Sequence, residues 1–201
     1  MIRLRYPLVG LLAVALAACA SAPMHYYTLI APAPTEASPV AAPASFRFAL
    51  LPVGIPAQAD QPQMVVREGG QGVAMLDGRR WIAPLADEVR GALSADLARD
   101  TGAQDVSGLP AGDKPVLRIK VDLRRFDSVP GQYALIDAAW SVHALKGDAL
   151  LACTSRIQES VGPGFDALVA GHQRALAALA TRIASVAPAV AAGQTPACPA
   201  D

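Results

Sequence analysis

The residues with the clearest chemical role lie at the N-terminus. Arg3 and Arg5 precede an apolar run over residues 8–18, which ends in small residues directly before Cys19. A basic segment, a short apolar segment and a small-residue cleavage site are the parts of a secretory signal. The four residues 16–19, Leu-Ala-Ala-Cys, resemble a bacterial lipobox, in which the cysteine thiol takes a diacylglyceryl group and becomes the new N-terminus.

The pattern predicts that residues 1–18 are a signal peptide and that Cys19 carries the lipid. Buried acyl chains such as palmitate contribute about 0.8 kcal/mol per methylene, so a multiply acylated cysteine is a stable anchor. An ordinary signal with a chance cysteine is the alternative, and a permanent span is disfavoured because the run is shorter than the roughly 20 residues required. Ala20 replaces the aspartate associated with inner-membrane retention. We therefore expect the mature protein to be anchored on the periplasmic face of the outer membrane.

Two further thiols, Cys153 and Cys198, follow the predicted anchor. In an oxidising compartment such a pair can form a lasting disulfide, and we expect these two cysteines to be paired. Closing a loop of this length stabilises a fold by roughly 4 kcal/mol in the chain-entropy treatment. The alternative is a buried Cys153 with a free thiol in a frayed tail, since the sequence does not give the Cα separation that the bond requires.

Residues suited to catalysis are scattered. His25, His143 and His172 have no second ligand at metal spacing, so no metal site and no cofactor are predicted. His172 falls on an apolar helix face and is interpreted as a packing residue. Ser141 and His143 point to the same side of a predicted strand, but no Gly-x-Ser-x-Gly elbow accompanies them. We therefore predict no catalytic residues and a protein that is not an enzyme.

Charge, length and hydropathy limit the class of protein. The 17 basic residues balance the 17 acidic residues, so bulk charge gives no reason to expect nucleic-acid binding. The chain after the signal is long enough for one domain with a buried core. No other apolar run is predicted to approach membrane-spanning length.

Proline and alanine mark the two ends of the predicted domain. Residues 31–45 contain four prolines and little that can be buried, which is typical of an extended spacer. We therefore predict a lipidated N-terminus and tether over residues 19–45 and a folded domain over residues 46–186. Residues 187–201 are expected to form an irregular tail, apart from any disulfide at Cys198.

The periodicity of apolar residues predicts the elements of the domain. Strands are expected at 46–53, 64–67 and 73–76, with Gly69, Gly70 and Gly72 forming a hairpin turn between the last two. The glycine cluster lacks the Gly-Lys-Ser/Thr ending of a phosphate loop. An amphipathic helix is then predicted from Leu85 to about Gly102, with Glu88 among the residues on its polar faces.

Three strands and a second helix complete the pattern. Residues 117–124 alternate between apolar and charged side chains, and strands are also expected at 133–145 and 150–159. Together they predict an antiparallel meander. Helical periodicity returns after Gly164 and continues to about Val186. The predicted fold is α+β, a two-layer sandwich in which two helices cover one face of a mostly antiparallel sheet.

Aromatic residues and the hairpin glycines are candidates for partner contact. Trp81 follows the hairpin and is either an interface anchor or a packing residue, since tryptophan is enriched in both settings. Tyr26 and Tyr27 either add a short edge strand or contact a neighbouring subunit. Gly69 and Gly70 lie in a loop, and loops on a rigid scaffold commonly carry binding.

Short motifs resemble the ABC-type transport auxiliary lipoproteins, the paraquat-inducible protein C group. The resemblance spans residues 25–186 and is carried by His25-Tyr26-Tyr27-Thr28-Leu29, Leu51-Pro52-Val53, Val65-Val66-Arg67, Trp81-Ile82-Ala83-Pro84-Leu85 and Phe165-Asp166-Ala167-Leu168-Val169. The Ala/Pro-rich insert after the first motif is longer than usual. It leaves open whether Tyr26 and Tyr27 pack on the domain or belong to the tether.

The resemblance implies a role beside an ABC transporter whose periplasmic subunit has a mammalian-cell-entry (MCE) domain. Such systems move phospholipids or other hydrophobic molecules between the two membranes and support envelope integrity. The auxiliary lipoprotein is their outer-membrane end. A structural envelope lipoprotein that takes no part in transport is the alternative function, and contact between copies in a homo-oligomer is an open alternative for the partner.

Overall fold

The computed structural model describes residues 23–32, 42–110 and 112–200, so the predicted signal, Cys19 and most of the predicted spacer lie outside the described residues. Within those ranges, seven strands and two helices follow one another in the order β1 His25–Tyr27, β2 Arg47–Leu50, β3 Gln63–Gly69, β4 Gly72–Trp81, α1 Leu85–Thr101, β5 Val116–Val129, β6 Tyr133–Ala144, β7 Leu150–Ser160 and α2 Phe165–Ala191.

The larger sheet has four strands in the order β2-β5-β6-β7. The β5-β6-β7 pairings are antiparallel, which confirms the predicted meander, and β2 joins β5 in parallel. Side chains alternate between two faces along β6, where Ile136, Ala138, Trp140 and Val142 are buried and the residues between them are partly exposed. Period-2 burial of this kind fixes the register of a sheet with one covered face.

The two helices cover the buried face of this sheet and confirm the α+β sandwich. Leu168, Leu176, Leu179 and Ile183 of α2 are fully buried, and α1 packs against α2. The guanidinium of Arg90 on α1 donates to the carbonyl oxygen of Leu50, which holds that helix over the end of β2. Gly102 ends α1 in the left-handed conformation.

A second, smaller sheet contains β1, β4 and β3, in that order. The predicted hairpin is present, but its strands run as far as Gly69 and Trp81, so β4 is considerably longer than expected. β1 pairs with β4 in parallel, with Tyr26 opposite Arg80 and Tyr27 opposite Trp81. The strands that were predicted as one sheet therefore form two.

Residues 23–32 of the N-terminal segment pack on the domain, which answers the alternative left open for Tyr26 and Tyr27, while most of the rest of the predicted tether lies outside the described residues. Besides β1, Leu29 is fully buried in the core. The carboxylate of Glu88 accepts a hydrogen bond from the Thr28 hydroxyl at 2.7 Å and another from the Leu29 backbone N–H at 2.8 Å. Glu88 is itself buried, although the sequence placed it on a polar face. Its role is to satisfy the polar groups of the docked segment.

At the other end, the predicted end of the second helix near Val186 is wrong by five residues. Helix α2 continues through Pro188 to Ala191, and Val190 is fully buried. Pro188 removes one backbone N–H from the last turns, but its carbonyl oxygen still accepts from Ala192. The apolar burial of Ala187 and Val190 is enough to continue the helix past the proline.

The length and composition of α2 also contradict the expectation that no further apolar run approaches membrane-spanning length. Its 27 residues include a window of mean hydropathy 1.3, enough to cross a membrane by these two criteria. In the structure, one face of α2 packs against the sheet and α1, as the core helix of a folded domain does. Its apolar character is explained by that packing.

Candidate functional site

The tip of the β3–β4 hairpin and the β5–β6 turn lie side by side and form a cleft of about 350 Å³. Gly69 and Gly70 have φ values of 98° and 52° at the hairpin tip, and Gly131 has a φ of 72° in the facing turn. Glycine adopts such values without steric cost. Both loops therefore depend on glycine for their shape, and the predicted contact residues Gly69 and Gly70 line the cleft.

Charged and polar side chains make up half of the residues that line the cleft, and one of them takes part in an ion pair between strands β3 and β5. The lining residues are Arg67, Glu68, Gly69, Gly70, Val129, Pro130, Gln132 and Tyr133. The Arg67 guanidinium lies 3.0 Å from the carboxylate of Asp127, which also pairs with Arg125. Asp127 is buried, and its carboxylate pairs with both arginines, so it links β3 to β5. Glu68 and the β5–β6 turn residue Gln132 remain exposed.

Beneath this region, His172 is a packing residue, as predicted. The ring is fully buried and stacks on Phe126, with the two ring centroids 3.9 Å apart. Its Nε2 lies 2.8 Å from the hydroxyl of Ser128, and its Nδ1 has no hydrogen-bond partner. Burial lowers the pKa of His172 to about 3, and the negative charge of Asp127 only partly offsets that effect. The side chain is neutral and closed off from the cleft.

Ser141 and His143, the nearest approach to a nucleophile and base, lie on the outward face of β6. Ser141 is opposite Lys120 and Ala152, and His143 is opposite Arg118 and Leu150. The carboxylate of Asp137 on the same face pairs with Arg124 at 2.6 Å. Within residues 23–32, 42–110 and 112–200, no group of three or more His, Cys, Asp or Glu side chains is arranged to hold a metal ion.

The disulfide between Cys153 and Cys198 is present in the structure, with a Cα separation of 5.8 Å. It ties the tail after α2 to the edge strand β7, where the Cys198 sulfur lies 3.5 Å from the carbonyl oxygen of Ala152. A shallow cleft of about 580 Å³ borders the bond, and Lys120, Asp122 and Ser141 are among its lining residues.

The other predicted contact residues have different environments. Trp81 is only 5% exposed and meets Phe126 edge to face at 6.2 Å, so its prediction as a partner contact is wrong and the packing alternative holds. Tyr26 and Tyr27 form the edge strand β1, with Tyr26 exposed and Tyr27 partly buried against the core. Cys19, the predicted lipidation site, lies outside the described residues.

Sequence reasoning missed two contacts that position these elements. Glu88 lies on the same helix face as Leu85 and Ala92, three and four residues away, and that spacing is a signal that it could be buried. The Arg67–Asp127 pair joins residues that are 60 positions apart. No local pattern identifies such a pair.

Solved structures support the fold assignment. A crystal structure of a protein described only as uncharacterized has a TM-score of 0.64 and 17% identity, covering 82% of this chain and 98% of its own. A protein from Xanthomonas campestris, described as a member of the DUF330 family, has a TM-score of 0.59 and 18% identity, covering 84% of this chain and 96% of its own. At these identities, the similarity shows a shared fold alone.

The family is shown by a match over most of the chain. None of the curated proteins is similar enough to count as a match. The family model described as ABC-type transport auxiliary lipoprotein component matches residues 27–184, which include every strand from β2 to β7 and both helices up to the last turns of α2. The chain therefore belongs to the ABC-type transport auxiliary lipoprotein family, whose members are membrane-anchored components associated with ABC transport systems.

Proposed function

We propose that this lipoprotein is a non-enzymatic outer-membrane component of an MCE-type ABC transport system. It is held on the periplasmic face by an acylated Cys19 and acts by docking with the MCE-domain subunit of the transporter. The system would move phospholipids or other hydrophobic molecules between the inner and outer membranes and so support envelope integrity. The family assignment supports the association with ABC transport, and the arrangement of the cleft supports a role in docking.

The observation that carries the docking proposal is the position of the cleft relative to the anchored segment. Strand β4 begins with Gly72 beside the hairpin tip and ends with Trp81 beside β1. The paired strand β3 runs from Gln63, opposite Arg80, to Gly69 at the tip, which is about 20 Å at about 3.3 Å per residue. The cleft thus lies at the far end of β4 from the segment that leads to Cys19, where a subunit approaching from the inner membrane would meet it.

Site-specific photo-crosslinking in cells that carry the complete transport system tests the docking surface. The crosslinker is best placed at Glu68 or Gln132, because both are exposed and line the cleft, whereas Gly69 and Gly70 need positive φ values. Asp148 in the β6–β7 turn is the matched control, an exposed acidic turn residue at the opposite end of β6. We expect the MCE-domain subunit in the products from Glu68 and Gln132.

Capture of the MCE-domain subunit from Asp148 but from neither cleft position would refute this surface. Capture from none of the three positions, in cells that produce both proteins, would refute the docking proposal and favour the structural alternative. Replacement of Cys19 with serine tests the anchor separately. Full envelope function of that unanchored form would refute the need for membrane attachment.

The non-enzymatic assignment is tested at the outward face of β6. Ser141→Ala and His143→Ala should each leave resistance to detergents and solvents at the wild-type level. Loss of that resistance in either variant, with an unchanged thermal unfolding curve, would indicate a chemical role for these residues and overturn the assignment.

A further inference from the structure

Exposed apolar side chains gather where the N-terminal segment meets β4. We call this set the N-terminal patch: Met24, Tyr26, Ile30 and Ile82, which are 40%, 58%, 49% and 61% exposed. They are four of the nine large apolar side chains that are exposed among the described residues, and a cluster of such side chains marks an interaction surface. The docking cleft at the hairpin tip does not include them.

Backbone pairing places Tyr26 and Ile82 at the same junction of β1 and β4. Tyr26 is opposite Arg80 in the parallel β1–β4 ladder. The backbone N–H of Ile82, the residue directly after β4, donates to the carbonyl oxygen of Tyr27 at 2.9 Å. Ile30 follows β1 and lies over the first turns of α1, close to Gly91.

The chain before the patch is short. The backbone is fixed on the domain from Pro23, whose carbonyl oxygen lies beside Gly78. Cys19 precedes Met24 by five residues, and a fully extended chain spans at most about 3.6 Å per residue, so the two are never more than about 18 Å apart. A lipid attached to Cys19 therefore holds the patch close to the membrane surface.

We infer that the N-terminal patch lies on the lipid surface of the membrane that holds the anchor, an inference that rests on the proposed acylation of Cys19. Isoleucine and methionine side chains enter the boundary between headgroups and acyl chains, while Tyr26 presents an apolar ring and a polar hydroxyl to that boundary. Arg80, the neighbour of Tyr26, supplies a cation for lipid phosphate. Two attachments, the acyl chains and the patch, fix the orientation of the domain and direct the hairpin tip away from the bilayer.

Fluorescence quenching on vesicles tests this placement. The mature acylated protein, carrying Ile82→Cys labelled with an environment-sensitive dye, is reconstituted into vesicles of phosphatidylethanolamine and phosphatidylglycerol with nitroxide-labelled lipids. The native disulfide and the acylated Cys19 leave the new thiol as the labelling site. The control is Leu150→Cys, because Leu150 is similarly exposed at 52% but lies at the far end of the meander. We expect several-fold stronger lipid quenching at position 82 and stronger iodide quenching at position 150.

The possible failures are distinguishable. Equal lipid quenching at the two positions, in protein whose intact mass shows the acyl chains, overturns the inference and leaves the anchor intact. Shielding of position 82 from both nitroxide lipid and iodide shows that protein covers the patch, such as a second copy, and also overturns it. A mass without acyl chains refutes the anchor itself, and with it the basis of the inference.

Discussion

Replacing His172 should remove much of the acid sensitivity of this fold. The folded state holds the ring neutral because burial lowers its pKa to about 3, whereas in the unfolded chain the pKa is about 6.5. A histidine whose pKa is depressed in the folded state stabilises the fold fully above pH 6.5. That contribution is lost as the pH falls toward 3, because the ring takes up a proton in the unfolded state but stays neutral in the folded state.

The size of the effect follows from the same two pKa values. One pH unit between them is worth about 1.4 kcal/mol, so at pH 4.5 the wild-type protein should have lost about 3 kcal/mol of unfolding free energy through this one side chain. His172→Gln abolishes the titration and keeps a polar group near the Ser128 hydroxyl. The variant will be less stable at pH 7.5 because it loses the stacking on Phe126. Its stability should nevertheless fall less steeply with acid.

Urea unfolding from pH 7.5 to 4.5 measures this difference, with the disulfide kept oxidised and the buried Trp81 and Trp140 as fluorescent probes. A Cys19→Ser form avoids detergent. His143→Gln is the control for the loss of a histidine, because that residue lies on the outward face of β6 and not in the core. Parallel pH profiles for the wild type and His172→Gln would refute the reasoning.

Three further predictions concern stability. Replacing both Cys153 and Cys198 with alanine should lower the unfolding free energy by about 4 kcal/mol in urea titrations, since the bond closes a loop with a sequence separation of 45. Glu88→Ala should cost about 1–3 kcal/mol and expose the N-terminal segment to limited proteolysis, because the buried Leu29 N–H loses its acceptor. Gly171→Ala should cost about 1–3 kcal/mol, seen as a lower Tm, because an added methyl would overlap buried side chains.

Controls for these variants are available in the same chain. Dithiothreitol should reproduce the loss seen in the double cysteine variant, and an unchanged wild-type stability after full reduction would contradict the prediction. Asp87→Ala removes an exposed neighbour of Glu88 and should leave proteolysis unchanged. Gly162→Ala should be tolerated, since an added Cβ meets only ordinary contact at 3.9 Å. Equal Tm values for Gly171→Ala and Gly162→Ala would show that the helix shifts to accept the methyl.

Local patterns in the sequence were sufficient for the elements whose partners are close in the chain. The alternation over residues 117–124 predicted the meander, and Pro84 and Gly102 bounded α1 to within a residue. Parallel pairings were not predictable, because β1 finds its partner β4 more than fifty residues later and three residues carry no periodicity. The division of the strands into two sheets depends on those pairings.

The candidate site was also only partly predictable from local sequence patterns. The glycines at the hairpin tip predicted a turn and a contact surface, since their backbone requirement is local. The cleft itself needs the β5–β6 turn to lie alongside, an arrangement fixed by the Arg67–Asp127 pair and by core packing. Trp81 was ambiguous because burial of an aromatic residue depends on a neighbour, Phe126, which is distant in sequence.

The parallel pairings also set the order of events during export. Under the proposed export the chain would emerge with its N-terminus first, so β1 and β2 would appear well before β4 and β5, the strands with which they pair. Long-range pairings of this kind form late, because the entropic cost of closing the intervening loop comes before the stabilising contacts can form. If Cys19 is acylated as proposed, the chain beside it would therefore stay accessible to processing enzymes until β4 has emerged and can pair with β1. Completion of the smaller sheet would then hold the domain close to the proposed anchor.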